Sequence, residues 1–167
     1  MRRVGQWVDK HLWTLPFFTF LFTGTSLIAI RYFYAKEFFL AAVEAENRKE
    51  IYSSLTGSSS GLLGFALAAV AIMAAFGKRP TSNQDDRNRE NRLADARVGI
   101  SKILLATSVF LMAILITATV GIGIDDDKVG SFPITTIIVA SSVSSLIGLL
   151  VSGAGLTLSL MERSRNS

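Results

Sequence analysis

Charged residues are missing from four long runs of the chain, 12–30, 55–76, 103–124 and 132–161. Each approaches or exceeds the roughly 20 residues that an α-helix needs to cross a ~30 Å hydrocarbon layer. In lipid a spanning backbone has to satisfy its own polar groups, so runs of this length predict helices. The pattern therefore predicts an all-α fold, a four-helix transmembrane bundle with spans over about 12–34, 55–76, 98–123 and 133–161. At 167 residues, half of them apolar, the chain is expected to form one membrane domain, 1–167.

The connections carry their own signals. Gly77, Lys78, Arg79 and Pro80 form a stop for the second helix, because glycine suits the position after a helix and proline cannot continue its ladder. Thr81 or Ser82 then offers a cap, with Gln84 or Asp85 closing a capping box. A polar helix is expected to run from about Asn83 straight into the third span, so 77–97 reads as a cytoplasmic helix and loop. Ser131 and Pro133 resemble the cap and opening turn of the fourth helix. The segment 35–52 mixes Phe38, Phe39 and Val43 with Glu44, Glu46, Arg48 and Lys49, which predicts an amphipathic connection on the outer surface, with a prolonged first helix as the alternative.

Charge decides orientation. Arg2, Arg3, Lys10, Lys78, Arg79, Arg87, Arg89, Arg92, Arg97, Lys102, Arg163 and Arg165 fall on one side, and only Arg31, Lys36, Arg48, Lys49 and Lys128 on the other. Positive charge is retained inside, so both termini and the central loop are expected in the cytoplasm, with the protein multi-pass in the cell membrane. The first run follows Arg2, Arg3 and Lys10 but is longer than a signal-peptide core and lacks a nearby cleavage site, which favours a retained anchor. Trp7 and Trp13 mark its inner edge; Tyr32, Phe33 and Tyr34 mark its outer one, where Arg31 is placed to snorkel. Asp125, Asp126 and Asp127 read as a solvated outer turn, since they lack the alternating ligands and glycine of a calcium loop.

Small residues recur on two of the helices. Gly57, Gly61, Gly64, Ala68, Ala71 and Ala75 follow one another at alternating spacings of four and three. Ser141, Ser145, Gly148, Ser152, Gly155 and Ser159 repeat that rhythm on the fourth helix. Such spacing keeps a set of residues on one helix face, where small side chains let backbones approach and gain dispersion contact in lipid. The seven-residue repeat favours a small, left-handed crossing. These faces are expected to pack on each other or on a neighbouring copy, or else to line a path for water or ions; the hydroxyls of Thr19, Thr23, Ser26, Ser101, Ser108 and Thr119 would serve the second purpose.

Catalytic groupings are scarce. Gly57, Ser58, Ser59, Ser60 and Gly61 match a hydrolase elbow in letters only, because that turn needs a preceding strand and a histidine within reach. The single histidine, His11, belongs to the opposite edge of the membrane. With no cysteine, no disulfide framework or thiolate site is available. No ionisable group falls in mid-span, which argues against a proton relay or voltage sensor. We expect no enzymatic activity, no cofactor and no metal site.

In the central loop Lys78, Arg79, Arg87, Arg89, Arg92 and Arg97 alternate with Asp85, Asp86, Glu90 and Asp95. Salt-bridged pairs at helical spacing, such as Asp85 with Arg89 and Arg92 with Asp95, are the first expectation. Contact with anionic lipid or a cytosolic protein is the second. Nucleic acid is not expected, for want of stacking aromatics.

The stretch 51–76, with Tyr52, Ser54, Leu55 and the run Gly61, Leu62, Leu63, Gly64, Phe65, Ala66, Leu67, Ala68, Ala69, resembles a segment of uncharacterised small four-helix bacterial membrane proteins. Some of these are found in antiphage defence operons and are suspected of perturbing the membrane. The resemblance covers one helix of four and implies no particular site residue. Together these features lead us to expect a self-associating accessory or effector protein, membrane-permeabilising in the stronger version. A channel or transporter subunit with a hydroxyl-lined path is the first alternative, and a structural scaffold recruiting a cytosolic partner is the second.

Overall fold

A computed structural model describes residues 12–33, 40, 43–75, 84–125 and 130–164, and among them every regular element is helical. A 3-10 turn, Leu12–Thr14, leads into α1, Leu15–Phe33; α2 is Ala45–Ala75, α3 is Gln84–Ile124 and α4 is Phe132–Ser164. All four are long and apolar enough to cross a membrane. At 1.5 Å per residue, the 41 residues of α3 make a rod of about 60 Å, so its polar first turns project well beyond a ~30 Å apolar layer. The central polar segment and the third span are thus parts of a single helix.

The helices are not equally buried. Half of the apolar window of α3 is enclosed, and 39% of that of α4, against 11% for α2 and 6% for α1. The main interfaces join α2 to α3, α3 to α4 and α4 to α1, so α3 and α4 form a central antiparallel pair flanked by the other two. Aromatic contacts add α1 to α3, where Phe110 lies 5.1 Å from Phe17 and 5.3 Å from Phe20 between ring centroids. The first pair is edge-to-face and the second tilted, and aromatic pairs that avoid a face-to-face sandwich at such distances are favourable beyond the area they enclose. At the other end of α1, the Arg31 guanidinium lies 4.0 Å from the centre of the Phe132 ring. Arg31 therefore stacks on an aromatic face at the start of α4, a contact the snorkelling expectation did not include.

The central pair meshes large residues with small ones. A Cβ built on Gly155 would come within 3.2 Å of Ile100, one on Gly148 would overlap the Thr107 hydroxyl, and one on Gly121 would come within 3.4 Å of Ile134. These contacts recur at seven-residue steps on both helices. In that register fully buried Ser141 comes opposite Ile114, itself 3% exposed. Bulk on one helix meets absence of bulk on the other, which lets the two backbones draw close.

Candidate functional site

At the end of the molecule where α2 begins and α3 stops, polar side chains are enclosed by the fold. Arg48, on the first turn of α2, and Asp125, directly after α3, form an ion pair with Nε and Oδ2 3.1 Å apart; their side chains are 0% and 2% exposed. Arg48 Nη2 lies 3.5 Å from Asp125 Oδ1, while Nη1 donates to the Val43 carbonyl. Tyr52, one turn further along α2, donates its hydroxyl to Asp125 Oδ2 at 2.7 Å. The Ser131 backbone N–H donates to Asp125 Oδ1 at 3.2 Å, immediately before α4 opens. One carboxylate thus receives donors from α2 and from the approach to α4.

Backbone close to these groups makes room for them. A Cβ on Gly130 would stand 3.1 Å from both Cδ and Nε of Arg48 and 3.2 Å from the Leu40 carbonyl oxygen. One on Gly121 would stand 2.9 Å from the Tyr52 ring. Leu40, Tyr52, Ala118 and Ile138 form an apolar cluster here, with Val43, Leu55 and Ile134 around it. A charge pair this deeply enclosed needs several donors, since two desolvated ions are seldom stabilised by their mutual attraction alone.

Two expectations are corrected by this arrangement. Arg48 does not belong to a solvent-facing amphipathic connection, because it is enclosed on α2. Asp125 is not part of a solvated turn, since it is 4% exposed and neutralised by Arg48; Asp126 and Asp127 lie outside the described residues. The physical reason is long-range pairing. Two charges close to the ends of apolar runs look solvated one at a time and become compatible with burial only when the fold joins them.

The two small-residue faces have different surroundings. On α4, Ser141, Ser145, Gly148 and Ser152 are buried and Gly155 is half-buried, with Gly148 and Gly155 against α3. Ser159 lies on the same helix. On α2, Gly57, Gly61, Gly64, Ala68, Ala71 and Ala75 are all exposed, and a Cβ on any of those glycines would meet nothing within 4 Å. The α2 residues turned inward are instead Tyr52, Ser59 and Ala66, with Met73 packed near Ile100 and Leu104 of α3. The two stripes therefore do not form an interface with each other: α4 spends its stripe on α3, and α2 leaves its own open.

Five interior hydroxyls are turned back onto their own helices, whereas those of Thr136 and Ser141 have no partner among the described residues. Thr107, Ser108, Ser144 and Ser152 donate to the carbonyl four residues earlier, at 2.8 to 2.9 Å, and Ser145 donates to Ser142 at 3.0 Å. Thr19 and Thr119 do the same, and Ser101 reaches the Met73 sulfur at 3.6 Å. Ser58, Ser59 and Ser60 lie within α2, away from any strand. Of the central basic residues, Arg97 pairs with Glu90 at 3.7 Å; Arg87, Arg89 and Arg92 fall on the first turns of α3, and Lys78, Arg79 and His11 lie outside the described residues. Among the described residues no group of acids and histidines is arranged to hold a metal ion.

Fold and site together define a class, an all-helical membrane protein of four apolar helices whose one buried charge pair among the described residues ties helix ends together. Compared with known proteins, the chain matches no family model, no curated protein and no solved structure.

Proposed function

We propose that the chain is a multi-pass protein of the cell membrane that self-associates through the open face of α2 and works as an accessory or effector subunit. The observation that carries this reading is the contrast between the stripes. The same small-residue rhythm that α4 uses against α3 is left unoccupied on α2 from Gly57 to Ala75. Lipid tails gain little from a glycine face, whereas a second helix gains close backbone contact there. The bias of basic residues supports a cytoplasmic assignment for both termini and for the polar start of α3, and in that orientation the projecting rod would offer a surface to anionic lipid or a cytosolic protein. In the stronger version the assembled copies open a leak.

The test is reconstitution into phospholipid vesicles. Energy transfer between labelled copies should report assembly in the native sequence and should disappear when Gly61 and Gly64 are both replaced by leucine. Release of a trapped dye by the native protein, lost in the same variant, is expected for the permeabilising version. Monomers in the native sequence would end the proposal. A permeation path through a single copy has less support, because the hydroxyls of Thr107, Ser108, Ser144 and Ser152 face their own helix carbonyls rather than a lumen.

A further inference from the structure

The exposed circumference of α2 gives the bilayer little reason to hold this helix at one rotation. At about 100° per residue, Arg48, Tyr52, Ser59, Ala66 and Met73 fall along one line of the helix, and Gly57, Gly61, Gly64, Ala68, Ala71 and Ala75 along the opposite one. Ile51, Leu62, Phe65, Leu67 and Ile72 occupy the flanks and are all exposed. Turning α2 by half a revolution would exchange apolar for apolar surface, and lipid is as apolar as leucine, so the hydrophobic effect discriminates weakly between the two rotations. Close packing discriminates where Tyr52 fits against Gly121 and discriminates little along the middle of the helix, where Ser59 and Ala66 are nearly as small as the residues opposite.

The charges do discriminate. In the observed rotation Arg48 meets Asp125 and Tyr52 completes that carboxylate's hydrogen bonds. Glu46 and Glu50 lie on the line of the glycines and are exposed. Half a revolution would carry these two carboxylates towards Asp125 and take its cation away, a like-charge encounter in place of an ion pair. We infer that the Arg48–Asp125 pair is a rotational latch, which seats the Tyr52–Ser59–Ala66 line on α3 and thereby keeps the glycine–alanine face of α2 free for a second copy of this chain. The destination of that free face rests on the self-association proposed above; the latch itself does not.

The natural sequence has no cysteine, so paired cysteines can report rotation directly. Met73→Cys with Ser101→Cys reads the seated state, since the native side chains touch at 3.6 Å. Ala71→Cys with Ser101→Cys reads the turned state, and Ala68→Cys alone reads contact between copies. Each is oxidised with copper phenanthroline in phospholipid vesicles. With the native latch, the first pair should close within one chain, the second should not, and the single cysteine should link two chains. Arg48→Glu should lose the first and third signals, and adding Asp125→Arg to it should restore both.

Because a single charge reversal can prevent folding, Arg48→Met with Asp125→Leu provides a second route, removing the charges while preserving apolar bulk. In that protein the seated pair should weaken and the turned pair should appear. Undiminished closure of the seated pair in this variant, with the turned pair still open, would overturn the latch. Failure of Ala68→Cys to link copies in the native background, while the seated pair still depends on Arg48, would overturn self-association and leave the latch standing.

Discussion

Gly148 of α4 lies so close to Thr107 of α3 that a Cβ added to the glycine would overlap the threonine hydroxyl and stand 3.1 Å from its Cβ. That hydroxyl is committed to the Ile103 carbonyl at 2.8 Å, and both residues are buried, so neither can yield easily. Gly148→Ala is expected to destabilise the protein by about 1 to 3 kcal/mol, the range for overpacking a tight core. Adding Thr107→Ala should recover part of the loss. Thermal midpoints of the purified protein in one fixed detergent would show it; additive effects of the two substitutions would mean the helices do not meet here.

The Arg48–Asp125 pair makes a different stability prediction. Arg48→Met leaves a desolvated carboxylate facing two remaining donors, Tyr52 and the Ser131 amide, and should cost about 3 to 5 kcal/mol. Replacing both charges together, by Met and Leu, should cost clearly less than the single change, because no uncompensated ion remains. A denaturation cycle over the four proteins measures the coupling. A double variant as unstable as the sum of the singles would show that the two side chains act separately.

The four helices were legible in the sequence because each needs only a long uncharged run, a property that any window of the chain reveals locally. The emptiness of the α2 stripe was not, since Gly57 to Ala75 and Ser141 to Ser159 share one rhythm and differ only in what stands opposite. On α3, Ile100, Thr107, Ile114 and Gly121 recur every seven residues and complement the fourth helix, a signal present in the sequence that requires knowing the antiparallel register. The charge pair was illegible for another reason. Its partners lie 77 positions apart, and nothing local distinguishes Asp125 from its two acidic neighbours. The available hint was Arg48 on the helical line of Tyr52, Ser59 and Ala66, a line that meets lipid or protein but not water.

Few residues of helix α1 are buried, which makes its anchoring to α3 testable. Only 6% of its apolar window is buried, and Phe110 accepts both Phe17 and Phe20. Phe110→Ala removes two aromatic pairs worth about 0.5 to 1.5 kcal/mol each, so α1 should loosen before the α3–α4 pair does. Limited proteolysis or hydrogen exchange should then show protection falling in Leu15–Phe33 while Phe132–Ser164 stays protected. Equal loss across both helices would place Phe110 in the common core rather than at the α1 seam.

Ser141 predicts the opposite sign from Gly148, although the two are seven residues apart on the same face. Its side chain is fully buried, and its Oγ finds no hydrogen-bond partner among the described residues, whereas Ser144 and Ser152 donate to carbonyls of their own helix. A buried hydroxyl without a partner costs about 1 to 3 kcal/mol in desolvation, and its oxygen fills little space that an alanine would leave empty. Ser141→Ala should therefore leave stability unchanged or raise it by about 1 kcal/mol, while Ser144→Ala, which gives up a hydrogen bond, should not. Thermal midpoints of the two variants in the same detergent decide it. A clear loss of stability in Ser141→Ala would mean that this hydroxyl has a partner in the membrane, and a second copy or a bound water would then have to be sought opposite it.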